Sequence, residues 1–150
     1  MAKAKVKAKT RKKAADPKKA VSVMAWIEDA YGNLLLVKQS RGKKLWSLPG
    51  GKVRSRETLM GALRREIREE LALSIDVAAL IDLYDRPAKG AVAILYRAIL
   101  RPQQVIRPRR GEILKYAFRR KPPGNATPSL KYFWTRAQVT FEPLSLFGRG

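Results

Sequence analysis

The segment Pro49–Leu73, PGGKVRSRETLMGALRREIREELAL, constrains the fold more than any other part of this chain. Its Pro-Gly-Gly triplet interrupts a short β-type run, LWSLPGGKV, because proline and glycine break regular structure. The residues that follow, TLMGALRREIREEL, predict a helix with Thr58 as the N-cap. Leu63, Ile67 and Leu71 recur at every fourth position and therefore share one side of that helix. We expect a loop followed by an amphipathic helix that packs against a sheet.

The rest of the chain supplies β-type runs for that sheet. VSVMAWIE and LLLVKQ, separated by the turn-type cluster DAYGN, predict a hairpin. IDVAALIDLYD and AVAILYRAIL, joined by RPAKG, predict two further strands, and EILKYAF predicts the last one. TPSLKYFWTRAQ predicts a second helix with Thr127 as its N-cap and Pro128 at its first position. This pattern predicts an α/β protein with a mixed sheet and helices on both faces.

Two residue types are absent from the chain, and their absence limits its chemistry. The 150 residues suffice for one domain with a core, and they include no cysteine and no histidine. Disulfides, thiol nucleophiles and the commonest zinc ligands are therefore excluded. A general acid or base has to be a carboxylate, a lysine, a tyrosine or a bound water. A metal ion has to be a hard cation bound through oxygen, such as magnesium or manganese.

Positive charge dominates the chain, which has a formal net charge of +21. Residues 1–20 hold nine basic residues, one acid and almost nothing apolar, which predicts a basic disordered arm. Residues 21–150 form the predicted folded domain. The arm fits either contact with RNA or DNA or a solvated tail that binds nothing specific. No run of about 18 apolar residues and no apolar secretory signal is present, so we expect a cytoplasmic protein without a membrane partner.

Three glutamates stand close together on the predicted helix. Glu66, Glu69 and Glu70 are related as i, i+3 and i+4, so their carboxylates share one face. In one explanation the neighbouring arginines neutralise them through surface pairs, each worth about 0–1 kcal/mol. In the other they bind divalent cations, since the backbone at Gly50 and Gly51 carries no side chain and can approach a metal or a phosphate.

The spacing from Gly51 to Leu73 reads G-x5-E-x7-R-E-I-x-E-E-x-A-L. It resembles the signature of the Nudix (MutT-like) hydrolases, G-x5-E-x7-R-E-U-x-E-E-x-G-U, in which U is a bulky aliphatic residue. Every charged position matches, and the one departure is Ala72, where the family has the glycine that closes the helix. The resemblance covers about residues 21–138. It implies a Nudix-type α/β/α sandwich with a mixed β-sheet and a loop–helix catalytic motif.

The resemblance also implies roles for the residues of the motif. The family cleaves nucleoside diphosphates linked to another moiety, generally with Mg²⁺ or Mn²⁺. By analogy, the metal ligands are three helix carboxylates and a glycine carbonyl, for which Gly50 is the alternative to Gly51: Gly51, Glu66, Glu69 and Glu70. The implied catalytic residues are Glu66, Glu69, Glu70, Glu112 and Arg65. Glu57 and Arg65 would form an ion pair that supports the site structurally.

The general base and the substrate contacts are less closely defined. Glu66 on the helix and Glu112 at the start of EILKYAF are both candidates for the base, and Glu142 ranks behind them. The positions of Lys52 and Arg54 beside the Gly-Gly loop predict contacts with substrate phosphates. Trp46 is a candidate for stacking on a nucleobase, although an aromatic residue in such a run more often belongs to the core.

These features predict a metal-dependent pyrophosphohydrolase that acts on nucleotide pyrophosphates, with a nucleoside triphosphate as the first substrate to test. A second hypothesis is a nucleic-acid-binding protein that uses the basic arm. A third combines the two as an RNA 5′-end pyrophosphohydrolase. The motif keeps all four of its glutamates, which argues against a silent site. The sequence makes no prediction of the oligomeric state.

Overall fold

The computed structural model describes residues 18–140. Most of the predicted basic arm, and Glu142, lie outside the described residues. The elements in chain order are β1 Ala20–Trp26, β2 Leu34–Gln39, β3 Trp46–Ser47, β4 Gly50–Lys52, α1 Leu59–Leu71, β5 Ile75–Arg86, β6 Ala91–Leu100, β7 Ile113–Arg119 and α2 Pro128–Thr140. A single 3₁₀ turn, Pro87–Lys89, joins β5 to β6.

The strands of the described residues form two sheets. A mixed sheet has the order β4-β1-β6-β5, in which β1 and β6 run parallel and the other pairs are antiparallel. An antiparallel sheet has the order β3-β2-β7. The predicted strands are therefore present, including the antiparallel pair β5 and β6.

The hairpin predicted for VSVMAWIE and LLLVKQ is wrong for most of its length. β1 and β2 lie in different sheets and meet only at their ends, where Glu28 bridges Leu34 and the Leu35 N–H donates to the Ile27 carbonyl at 2.8 Å. The reason is that a strand has two hydrogen-bonding edges, and those of β1 are taken by β4 and β6. The short turn after β1 was predictable, but the long-range pairing that displaced the hairpin was not.

Both faces of the sheets are covered, which explains why LLLV in β2 is buried without alternation. Leu35 and Val37 belong to a core cluster that includes the apolar side of α1. Leu34 and Leu36 point the other way, into a second cluster with Leu130 and other residues of α2. Two helical layers around the sheets confirm the predicted α/β/α sandwich.

The caps of both helices match the predictions. Thr58 Oγ1 accepts a hydrogen bond from the Gly61 N–H at 3.0 Å, and Thr127 Oγ1 accepts one from the Leu130 N–H at 3.3 Å. Leu63, Ile67 and Leu71 on α1 are fully buried, as their spacing predicts. The apolar side of α1 is thus buried in the core, and the carboxylates of Glu66, Glu69 and Glu70 lie outside that apolar side.

Candidate active site

The Gly-Gly loop brings the edge of the mixed sheet against α1. Gly50 pairs with Met24 and Gly51 with Val23 through β4 and β1. Gly50 has a φ of +146°, and a Cβ there would overlap the Val23 carbonyl oxygen. A Cβ on Gly51 would lie 2.6 Å from Glu66 Oε2. The two glycines therefore allow the backbone to touch a carboxylate of the helix.

Arg65 is the centre of the ion-pair network. Its guanidinium donates two hydrogen bonds to Glu57, from Nε to Oε2 at 2.6 Å and from Nη2 to Oε1 at 2.8 Å. Nη2 also donates to the Lys52 carbonyl at 3.0 Å, which ties the loop to the helix. The Arg65 hydrogen bonds, followed by one from the Arg54 N–H, lower the pKa of Glu57 to about 2. Glu57 and Arg65 thus form the pair that the sequence predicts.

The same arginine also holds two of the candidate metal ligands. Arg65 Nη1 donates to Glu66 Oε1 at 2.9 Å and to Glu69 Oε2 at 3.2 Å. The side chains of Arg65 and Glu66 are 18% and 17% exposed, so these bonds are partly shielded from water. One cation therefore neutralises carboxylates that would otherwise repel each other.

Glu70 has a different environment from the other two. Its Oε2 accepts a hydrogen bond from the Gly50 N–H at 3.1 Å. Burial raises the pKa of Glu70 to about 8, and the carboxylates of Glu66, Glu112 and Glu69 add to the rise, while the Gly50 N–H opposes it. In the absence of a cation this carboxyl group is protonated at neutral pH.

The donor set fits a hard divalent cation. Carboxylate and backbone carbonyl oxygens are the ligands that Mg²⁺ and Mn²⁺ prefer, and the missing side chain at Gly51 leaves room beside Glu66. Within residues 18–140, however, no three acidic side chains converge as a ready-made metal-binding group. Arg65 holds Glu66 and Glu69, and Glu70 turns to Gly50. A cation would have to compete with Arg65 for two carboxylates and with a proton for the third.

Glu112 lies beside the helix carboxylates although it is far from them in sequence. A cavity of about 210 Å³ is lined by Gln39, Arg41, Glu70, Glu112 and Ile113. The Ser40 N–H donates to the Glu112 carbonyl at 2.9 Å, and Arg109 Nη1 is 3.7 Å from Glu112 Oε1. Gln39 and Arg41 were missed by the sequence analysis. Only the pairing of Gln39 with Ile113 brings them to the site, and no motif marks them.

The three predicted substrate contacts lie in different environments. Arg54 Nη2 is 3.8 Å from Glu69 Oε1, so this side chain borders the carboxylates, whereas Lys52 is exposed and contacts the site through its backbone carbonyl, which accepts a hydrogen bond from Arg65. Trp46 is 4% exposed and belongs to the core cluster under α2. This burial agrees with the alternative interpretation of Trp46 as a core residue. Stacking of Trp46 on a nucleobase stays a prediction.

Comparison with known proteins places this arrangement in a family. The family model described as NUDIX domain matches residues 18–135. This chain belongs to the NUDIX family. The membership confirms the resemblance inferred from the motif, and the match covers the whole loop–helix.

Two curated sequences are similar to part of this Nudix chain. A CTP pyrophosphohydrolase from Escherichia coli is 35% identical over 81 residues, which are 52% of this chain and 60% of that protein. A MutT-like protein from Streptomyces ambofaciens is 31% identical over 81 residues, which are 54% of this chain and 52% of that protein. The chain thus spans between half and three-fifths of the length of these relatives.

Solved structures support the fold over a larger part of the chain. A MutT NUDIX hydrolase from Burkholderia pseudomallei superposes with a TM-score of 0.66 at 24% identity, covering 79% of this chain and 98% of that one. The described residues contain no helix long and apolar enough to cross a membrane.

The one departure from the Nudix signature, Ala72, has a visible structural consequence. Ala72 adopts φ 57° and ψ 34°, the left-handed conformation in which glycine is unstrained. Its N–H donates to the Arg68 carbonyl at 3.0 Å and closes the helix. The turn geometry is kept although alanine disfavours it, so the departure lowers stability rather than displacing the carboxylates.

Proposed function

We propose that this Nudix protein is a metal-dependent hydrolase that cleaves a pyrophosphate bond in a nucleoside diphosphate linked to another moiety. A nucleoside triphosphate is the first substrate to test. One observation carries the proposal: Gly51 lies against Glu66 on a helix face that also presents Glu69 and Glu70. The CTP pyrophosphohydrolase among the relatives supports the choice of a nucleoside triphosphate.

The proposed cofactor is Mg²⁺ or Mn²⁺, in keeping with the general use of divalent cations in this family. The residues that would hold it are Gly51, Glu66, Glu69 and Glu70. When bound, such a cation neutralises phosphate charge and lowers the pKa of a coordinated water. The protein holds the substrate through the positive charges of Lys52 and Arg54 beside the loop.

Arg65 and Glu57 would act as positioning residues. Their two-point ion pair fixes the angle between the loop and α1, and Arg65 Nη1 holds Glu66 and Glu69 in place before a cation arrives. Rigid placement matters because a phosphoryl-transfer site acts mainly by orientation and charge.

The general base is proposed to be Glu112. It lines the same cavity as Glu70, and its side chain is 44% exposed with one long contact to Arg109. Its carboxylate can therefore accept a proton from the attacking water. Glu66, the other candidate, already accepts a hydrogen bond from Arg65 Nη1 at 2.9 Å and is also a proposed metal ligand, so its carboxylate is engaged in both roles.

The test is a panel of nucleotide pyrophosphates with Mg²⁺ and with Mn²⁺, assayed for phosphate or pyrophosphate release. We expect metal-dependent turnover that falls by at least about 10²-fold in Glu69→Gln and in Glu112→Gln. Asp76→Asn is the matched control, because Asp76 is an exposed carboxylate paired with Arg101.

The outcomes separate the parts of the proposal. Absence of turnover across the panel by a well-folded protein would refute the activity. Full turnover in Glu112→Gln together with loss in Glu66→Gln would transfer the role of base to Glu66.

A further inference from the structure

Three cations converge on one buried aromatic ring, away from the helix carboxylates. Lys38 Nζ lies 6.0 Å from the Trp46 ring centroid, Lys115 Nζ lies 5.7 Å from it, and the Arg119 guanidinium carbon lies 5.5 Å from it. We call Lys38, Lys115 and Arg119 the basic patch. Because each charge is about 6 Å from the same point, no two of them are more than about 12 Å apart.

Within residues 18–140, no acidic side chain forms an ion pair with the basic patch. Among the described residues, every ion pair involves other lysines and arginines. Lys38 and Lys115 are directly opposite each other on β2 and β7, an arrangement that is unfavourable for like charges. The Trp46 ring attracts each cation through its quadrupole but has no net charge to cancel theirs. The patch therefore presents a concentrated positive charge.

The patch is separate from the site proposed for hydrolysis. Lys38 and Gln39 lie at a register irregularity between β2 and β7, and their contacts place them on opposite sides of the β3-β2-β7 sheet. Gln39 lines the cavity with Glu70 and Glu112, whereas Lys38 lies on the side of Trp46 and α2. None of the three cations has a role in the proposed cleavage.

We propose that the basic patch binds the phosphodiester backbone of single-stranded nucleic acid. Three charges within about 12 Å suit consecutive phosphates of one strand. Lys115 and Arg119 are exposed and can reach a ligand, as can Lys121 just after β7. The net charge of +21 favours nucleic acid, which carries a negative charge on every nucleotide, over a protein partner with an acidic patch.

The experiment measures the binding of oligonucleotides of about 12 residues to the full chain by fluorescence anisotropy as a function of salt. Single-stranded RNA and DNA of one sequence, both with 5′-hydroxyl ends, are compared, so that neither contains a pyrophosphate. The test variant is Lys38→Gln/Lys115→Gln/Arg119→Gln. The control is Arg64→Gln/Arg68→Gln/Lys89→Gln, which removes the same charge from exposed positions outside the patch.

We expect the test variant to bind the oligonucleotides at least about 10-fold more weakly at low salt. The slope of log binding constant against log salt concentration should decrease in magnitude by about 2, because each of the three lost phosphate contacts on a single strand contributes about 0.7. The control should change neither quantity by as much. Equal RNA and DNA binding would assign recognition to phosphates, and a preference for RNA would assign part of it to the 2′-hydroxyl.

Equal weakening of nucleic-acid binding in the test variant and the control would overturn the proposal, because only net charge would then matter. Unchanged nucleic-acid binding by the test variant, together with lost binding to polyglutamate, would make the partner an acidic protein. Full competition by a free nucleoside triphosphate at equal phosphate concentration would also overturn it, because the patch would then not require a phosphodiester strand. The single variant Arg119→Gln, at an exposed position, repeats the test with less risk to folding. Nucleotide turnover is measured in parallel, so failure of the patch and failure of the hydrolase are distinguished.

Discussion

At the scale of single residues, the site depends on how one arginine divides its hydrogen bonds. Arg65 binds Glu57 at two points and uses its remaining amino group for Glu66 and Glu69. Glu70 instead accepts a hydrogen bond from the Gly50 N–H, and its raised pKa favours the protonated carboxyl group. The three carboxylates of one helix face thus have different hydrogen-bond partners, and only one of them is bound to the loop.

Gly51→Ala should damage the site with little effect on folding. The added Cβ would meet the Glu66 carboxylate, and Gly51 has an ordinary φ, so crowding is the only change. We expect kcat/KM for nucleotide cleavage to fall by about 10- to 100-fold. Gly124→Ala, where a Cβ meets nothing within 4 Å, is the control. Wild-type activity in Gly51→Ala would show that the close approach is unimportant.

The raised pKa of Glu70 makes a prediction about metal-free protein. The folded-state pKa is about 8 and the ordinary value is 4.5, so between these values the folded state keeps a proton that the unfolded state has lost. The free energy of unfolding should therefore fall as pH rises through this window, by about 1.4 kcal/mol per pH unit at most. Urea unfolding in chelator between pH 5 and 9 measures it. Glu70→Gln should flatten the slope, and identical slopes would contradict the assignment.

At the scale of elements, the end of α1 is held in a conformation that its residue disfavours. Ala72 lies in the left-handed region. The connection between β6 and β7 is bound to this helix end by hydrogen bonds from the Arg107 N–H to the Leu71 carbonyl and from the Arg109 N–H to the Glu70 carbonyl. These bonds also bring the segment before β7, with Glu112, towards the carboxylates. The helix end therefore connects the two parts of the candidate site.

Ala72→Gly should stabilise the protein. Glycine relieves the left-handed strain, and its greater freedom in the unfolded state offsets part of the gain, so we expect about 0.5–1 kcal/mol in urea unfolding. Ala78→Gly, at an exposed position of β5 with negative φ, should instead destabilise. A loss of stability in Ala72→Gly would mean that the alanine methyl group makes contacts that outweigh its strain.

At the scale of the whole molecule, charge is the dominant property. The chain has a net charge of +21, so an anionic nucleotide is attracted to the protein before it reaches the site. We expect kcat/KM to fall by about 10-fold between about 20 and 200 mM salt while kcat stays nearly constant, because screening affects encounter and not the bound complex. Kinetics over a series of KCl concentrations measure both parameters, and a parallel fall in kcat would point to loss of metal or structure instead.

The pattern of residues was enough to predict the local structure. Thr58 and Thr127 cap their helices, and Leu63, Ile67 and Leu71 are buried, because capping and helical periodicity depend on residues within a few positions. Helical spacing also placed Glu66, Glu69 and Glu70 on one face, and the family was indicated by the resemblance of the whole motif to the Nudix signature. The pairing of Glu57 with Arg65 was implied by the resemblance to the Nudix signature, and the structure contains that ion pair.

Long-range pairing was decided only in the folded chain. β1 pairs with β4 and β6 and not with β2, because strand partners compete for two edges through contacts that no local pattern encodes. The same assembly brings Glu112 to Glu70, adds Gln39 and Arg41 to their cavity, and gathers Lys38, Lys115 and Arg119 over Trp46. Residue spacing determines the chemistry available on α1, whereas sheet register determines which distant charges surround it, because register depends on the packing of both core layers at once.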